Sequence, residues 1–112
     1  MRIASMMSVY HGDNPRWFET ALKSIVNQEL DQSIRHDVFV VIDGPTPLDA
    51  EDIILSILKD AYIIKSETNE GLSNSLNKII HLIGESQPAY DYVFRMDADD
   101  ISLPQRYNAQ IE

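Results

Sequence analysis

Five consecutive apolar residues, Val38-Phe39-Val40-Val41-Ile42, four of them β-branched, stand between Asp37 and Asp43-Gly44-Pro45. β-Branched side chains pack well on a pleated surface, and so short a run closed by a Gly-Pro break reads as a strand. It is apolar on both faces, so both faces need cover. That is the position of a strand inside a parallel sheet with helices above and below it. The rest of the chain must supply those helices and the partner strands.

It does so in regular alternation. Ile3 to Tyr10 is mostly apolar and reads as a first strand, followed by a loop, His11-Gly12-Asp13-Asn14. Asn14 is a helix cap with Pro15 at the first helical position, where a missing N–H costs nothing. Phe18, Leu22, Ile25 and Val26 then mark one face of a helix running to about Gln28. A polar connection, Glu29 to His36, leads into the strand 37–43. Thr46-Pro47 repeats the cap-then-proline start, and Ile53, Ile54, Ile57 and Leu58 give a second helical face opened by Asp49, Glu51 and Asp52. Ala61 to Lys65 reads as a third strand. Leu72, Leu76, Ile79, Ile80 and Ile83 mark a third helix, with Gly84 as its C-cap and Pro88 in the loop beyond. Tyr90 to Met96 reads as a fourth, buried strand, and Ser102 with Pro104 as the start of a fourth helix.

Strands alternating with helices imply an α/β fold: a Rossmann-like, three-layer parallel sheet with right-handed crossovers. The expected strand order is 3-2-1-4, and ligands of such sheets bind at the carboxyl ends of the strands, where the winding reverses. Ser8-Val9-Tyr10, Asp43-Gly44 and Asp97 to Asp100 are delivered to that edge.

Composition limits what can bind there. The chain has 112 residues, enough for one domain, and a formal net charge of −9. Nucleic acid is excluded as a partner, because phosphate backbones are bound by basic surfaces. Any phosphate ligand needs a cation to bridge it to an acidic protein. The chain contains no cysteine, so disulfides, thiol catalysis and zinc–thiolate sites are excluded. No apolar run approaches the ~18 residues of a membrane span and no signal peptide opens the chain, so a cytoplasmic location is expected. Asn108 to Glu112 stop inside what reads as the first turns of a helix. The expectation is the N-terminal part of a longer protein.

The chemistry concentrates in Asp97-Ala98-Asp99-Asp100, three carboxylates within four positions after an apolar run. Clustered carboxylates repel one another, so a folded site holding them needs a cation or generous solvation. Mg²⁺ or Mn²⁺, hard cations with oxygen ligands, fit. The other reading is an Asp-rich helix start that complements the helix dipole. A calcium EF-hand does not fit, since Ser102 stands where its loop needs Gly and Asn108 where it needs Glu. Asp43-Gly44 is either a hydrogen-bond acceptor for a ribose or base, or an ordinary turn. Tyr10 either stacks on a nucleobase or packs in the core, and alone it reads as core. Asn69-Glu70-Gly71 either lets a ligand approach the backbone or is a plain turn. Arg95 is expected to pair with a carboxylate. Trp17 reads as packing, His36 and His81 as surface or packing residues, and His11 as a minor ligand at most.

In combination these segments resemble the N-terminal, nucleotide-sugar-binding half of glycosyltransferase family 2, with the GT-A fold. The matching segments are Ser8-Val9-Tyr10, Ala21 to Gln28, Val40-Val41-Ile42-Asp43-Gly44-Pro45, Asn69-Glu70-Gly71-Leu72 with Asn77, and Met96 to Arg106. The Ile-Asp-Gly-Pro and Arg-Met-Asp-Ala-Asp-Asp-Ile-Ser runs look most like bacterial exopolysaccharide or O-antigen enzymes of the amylovoran type. The resemblance implies that residues 1–112 bind the donor of an inverting, metal-dependent hexosyltransferase. The donor would be a UDP-sugar and the acceptor a saccharide or lipid-linked saccharide. It implies Tyr10 against the base, Asp43 on the base or ribose, and Ser8, Asn69 and Gly71 beside the nucleotide. Asp97 would lie near the ribose and Asp99 would be the main Mn²⁺ or Mg²⁺ ligand, supported by Asp97 and Asp100. Two departures stand out: many members carry Asp-Asp-Gly-Ser where this chain has Ile42-Asp43-Gly44-Pro45, and Arg where it has Leu76. The family's general base would fall beyond Glu112. The alternatives are an Asp-x-Asp phosphatase of the haloacid dehalogenase type and a non-catalytic acidic α/β binding domain.

Overall fold

The apolar run 38–42 lies at the centre of a four-stranded parallel sheet in the computed structural model, which describes residues 1–10, 12–44, 50–66, 71–85, 89–98 and 101–111. Along the chain the elements are β1 (Arg2–Val9), α1 (Pro15–Val26), β2 (Arg35–Asp43), α2 (Ala50–Ile57), β3 (Tyr62–Ser66), α3 (Leu72–Gly84), β4 (Tyr92–Asp97) and α4 (Arg106–Ile111). The strand order is β3-β2-β1-β4, as expected. Arg2 pairs with Arg35 and Val9 with Ile42, while Ser8 is flanked by Val41 on one side and Asp97 on the other.

Because side chains alternate along a strand, β1 and β2 feed two separate cores. Ile3, Met7 and Val9 join Val38, Val40 and Ile42 beneath α1, α2 and Tyr107 of α4. Ala4 and Met6 join Phe39 and Val41 beneath Leu76 and Ile79 of α3. This is the three-layer arrangement that the double apolar character of β2 requires. The start of α1 follows its capping signal: the Asn14 side-chain oxygen accepts from the Arg16 and Trp17 amides at 2.9 and 3.3 Å. Phe18, Ala21, Leu22 and Ile25 are buried on its inner face.

Several expectations are corrected. β4 is an edge strand, not a buried one: Phe94 and Met96 face the α1 side, while Val93 and Arg95 are exposed on the α3 side. Helix α3 packs over β1 and β2 and leaves that half of β4 uncovered. Gly84 is the last residue of α3 rather than its cap; Glu85 takes the cap position in a right-handed conformation. Ile80 is exposed, on the outer side of α3. Helix α4 starts at Arg106, after a turn at Pro104-Gln105 closed by the Arg106 amide on the Leu103 carbonyl at 3.0 Å. Trp17 is 61% exposed, not packed. The Thr46-Pro47 helix start lies outside the described residues.

Candidate functional site

Three strand ends meet at one edge of the sheet, and pairing also puts their polar side chains on one face. Ser8 follows Met6 by two residues and Asp43 follows Val41 by two, so both fall on the α3 side. Asp97 is the register partner of Ser8 and shares that face. Beside them α3 begins at Gly71. The uncovered half of β4 makes an open shelf of this corner, with Ser8 and Asp97 on its floor.

Each residue is placed for a local reason. Asp43 is 3% exposed, and its Oδ2 accepts the Gly71 amide at 3.0 Å. That bond ties the end of β2 to the start of α3 and satisfies an orphan amide of the helix N-terminus. Gly71 has φ 86° and ψ 163°, a conformation open only to glycine, although a side chain there would meet nothing within 4 Å. Gly44, at φ 83°, turns the chain out of β2 and donates its amide to the Ser66 carbonyl at 3.1 Å.

Tyr10 follows β1 and is 43% exposed, so it is a surface aromatic rather than a core one. Its amide donates to Asp13 Oδ2 at 2.9 Å, and its carbonyl accepts from the Asp13 amide at 3.0 Å. The ring folds over Gly12 so closely that a Cβ on that glycine would lie 2.6 Å from the ring carbons and hydroxyl. A tight turn and a bare glycine thus seat an exposed aromatic ring beside the strand ends.

Asp97 ends β4 with its carboxylate half-exposed, and Arg95 Nη2 is 3.3 Å from its Oδ1, the pairing expected for Arg95. Ala98 behind it is buried. Asp99, Asp100, Asn69 and His11 lie outside the described residues. Among the described residues no group of three or more His, Asp and Glu side chains stands close enough to hold a metal ion. Of the acids of the Asp97 to Asp100 stretch only Asp97 is described, a half-exposed carboxylate oxygen donor of the kind that hard divalent cations take, here paired with Arg95.

The two described histidines stand away from this edge. His36 is half-buried near the start of β2, with Nε2 2.6 Å from Ser5 Oγ. His81 pairs with Glu85 on the outside of α3 at 3.0 Å. Leu76 is buried in the α3-side core, so that position offers no cation to a ligand.

Sequence reasoning missed the seat of the segment that follows the acids. The Ser102 amide donates to Ser24 Oγ at 3.0 Å, and Gln28 Nε2 donates to the Leu103 carbonyl at 2.8 Å. Gln28 Oε1 accepts the Tyr107 amide at 2.9 Å. Ser24 and Gln28 lie one turn apart, one on α1 and one just beyond it, and nothing local in the sequence marks the distant segment that they hold.

Residues 6–112 match the family model described as Glycosyl transferase family 2. The chain is 31% identical over 114 residues to an uncharacterized glycosyltransferase of Haemophilus influenzae, covering 99% of this chain and 39% of that protein. It is 32% identical over 108 residues to the amylovoran biosynthesis glycosyltransferase AmsE of Erwinia amylovora, covering 95% of this chain and 38% of that one. The chain therefore spans less than two-fifths of the length of these curated relatives. In fold it resembles S. aureus TarS 1-349, with a TM-score of 0.78 at 18% identity over 99% of this chain and 31% of that one. The 3-2-1-4 parallel sheet expected from the residues, and the GT-A fold implied by the resemblance, are the fold observed.

Proposed function

The chain belongs to glycosyl transferase family 2, and from that premise we propose that residues 1–112 form the nucleotide-sugar-binding part of a GT-A hexosyltransferase. The donor is a UDP-sugar. The acceptor is a saccharide or lipid-linked saccharide, and the product belongs to a bacterial surface polysaccharide. The observation that carries the reading is the convergence of Ser8, Asp43 and Asp97 on one face of one sheet edge, beside the glycine start of α3.

The roles are those that the family resemblance implies for these residues. The exposed Tyr10 ring stacks on the base. Asp43, held by the Gly71 amide, walls the base and ribose side, and Asn69 and Gly71 are assigned to the nucleotide. Asp97 lies toward the ribose, and Asp99, with Asp97 and Asp100, holds Mn²⁺ or Mg²⁺. A divalent cation there supplies the positive charge that a departing diphosphate needs. The acceptor hydroxyl displaces UDP at the anomeric carbon with inversion, its oxygen forming the new bond as the bond to the diphosphate breaks. No residue of this chain is assigned as the base that takes its proton. Among the described residues no helix is long and apolar enough to cross a membrane. We place the protein in the cytoplasm, at the inner face of the membrane where a lipid-linked acceptor is presented. The phosphatase alternative has no comparable support from the family match.

Calorimetric titration of the chain with UDP, with and without Mn²⁺, tests the reading. Binding is expected with Mn²⁺, to be strongly weakened by EDTA and by Asp99→Ala. A chain that ignores UDP in the presence of Mn²⁺, or an Asp99→Ala variant that binds like the wild type, overturns it.

A further inference from the structure

The side chain of Arg106, at the first position of α4, reaches back to the strand that carries Asp97. Its Nη1 donates to Met96 Sδ at 3.1 Å and to Ser102 Oγ at 2.8 Å, and its Nη2 donates to the Arg95 carbonyl at 3.4 Å. Ser102 Oγ donates to the same sulfur at 3.1 Å. One guanidinium thus joins the end of β4, at 95 and 96, to Ser102, which follows the Asp-rich stretch in sequence. A thioether is a weak acceptor, so two donors on one sulfur are not gathered by bond strength alone. A planar fork with several fixed donors can bridge three such points with little loss of freedom per bond. The exit side is fixed separately by Ser24 and Gln28. The described hydrogen-bond partners of Arg106 are a sulfur, a hydroxyl and a carbonyl, all neutral, and its guanidinium also lies 6.0 Å from the Phe94 ring and 5.7 Å from the Tyr107 ring. Among the described residues it has no carboxylate partner, and it reaches the backbone of β4, the strand that ends at Asp97.

We propose that Arg106 is a positioning residue: by clamping Arg95, Met96 and Ser102 it fixes the direction in which Asp97, at the end of β4, is presented to a metal-bound nucleoside diphosphate. This rests on the donor-site reading above. Arg106 acts through the turn and touches no ligand. Groups that orient metal ligands from behind typically change metal affinity 10–100-fold when removed.

The test uses the 112-residue chain with UDP and Mn²⁺ as probes. Arg106→Met keeps much of the side-chain volume but removes the fork and charge. It is expected to weaken Mn²⁺-dependent UDP binding by about tenfold, while UDP binding without metal changes less than twofold. Arg106→Lys, which restores charge without the fork, is expected to recover part of the loss. Amide exchange at Ala98 and Ser102 should quicken in Arg106→Met while the β1 and β2 amides stay protected. Tyr107→Phe, which loosens the same helix by removing its bond to Ser5, serves as the control and should leave the Mn²⁺ effect unchanged. If the wild type binds UDP with Mn²⁺ and Arg106→Met behaves identically, the positioning role is overturned while the donor site stands. Equal loss in Tyr107→Phe and Arg106→Met, with unchanged exchange at Ala98 and Ser102, also overturns it. A wild type that shows no Mn²⁺-dependent UDP binding overturns the donor-site reading, and the positioning role with it.

Discussion

His36 is one end of a short polar chain, through Ser5 to Tyr107, that runs into an apolar layer. Its Nε2 is 2.6 Å from Ser5 Oγ, and Ser5 Oγ is 2.6 Å from the Tyr107 hydroxyl. A neutral imidazole satisfies this chain if Tyr107 donates to Ser5 and Ser5 donates to His36. Burial pushes the His36 pKa below its ordinary value, against a weaker upward pull from Asp37, and burial pushes the Tyr107 hydroxyl up. The sign follows: below the ordinary histidine pKa of about 6.5 the unfolded chain binds a proton that the folded chain resists. The stability held above that value is lost as pH falls from it toward the lowered native pKa. The melting temperature should therefore drop between pH 7.5 and pH 5, and His36→Gln should flatten that drop. Equal pH slopes in the two proteins would show that His36 is not the source. Gly71 offers a second residue-scale expectation. A Cβ there meets nothing within 4 Å, so the cost of Gly71→Ala is purely that of φ 86°. A loss of about 1–3 kcal/mol is expected in urea unfolding, with no change in the slope.

Among the elements, α4 is the one whose attachment decides most. It is short, six residues, and too short to be stable alone. Tyr107 stacks on Phe94 with ring centroids 3.9 Å apart, and Gln28 binds both the Tyr107 amide and the Leu103 carbonyl. Gln28→Ala leaves the buried Tyr107 amide without its acceptor, while the part-buried Leu103 carbonyl loses its donor nearer the surface. A destabilisation of about 1–3 kcal/mol is expected in chemical denaturation, the cost of one unsatisfied buried group. A change below ~0.5 kcal/mol would mean that water replaces the amide at no cost. This element also shows what a sequence exposes and what it hides. The β-branched run of β2, the Asn14-Pro15 start of α1 and the alternation of elements were legible, because each is a local signal of strand, cap or period. Gln28 was not: a polar residue near a helix end looks solvated until the distant segment that uses it is known. Tyr92-Val93-Phe94 looked buried because apolar composition says nothing about whether a strand has one neighbour or two. At the site, Ser8, Asp43 and Asp97 could be brought to one edge from strand order alone. Their common face depended on the register, and the exposure of Tyr10 depended on a turn that folds its ring over Gly12.

At the scale of the whole molecule, charge decides how a diphosphate can approach. With a formal net charge of −9, the chain repels an anionic ligand, and the described part of the shelf sets a single cation, Arg95, against Asp97. If the shelf binds UDP, a divalent cation must offset both the acids and the diphosphate. Ligand that binds only the folded state then stabilises it by about 2.7 kcal/mol when present at roughly 100 times its dissociation constant. A domain of this size shifts by roughly 4 °C per kcal/mol, so UDP with Mn²⁺ should raise the melting temperature by roughly 10 °C. UDP alone should give little, and EDTA should return the value to that of the bare protein. UMP with Mn²⁺ should give a clearly smaller rise, because the second phosphate supplies the oxygens that share the metal. Mn²⁺ by itself should give a small rise that Asp97→Asn reduces, since the carboxylates then meet the cation without a bridging ligand. If UDP and UMP stabilise equally, or if Mn²⁺ makes no difference to either, the acidic strand end is not the diphosphate end of the site. The Asp-rich stretch would then be a dipole-complementing helix approach, the other reading of its sequence.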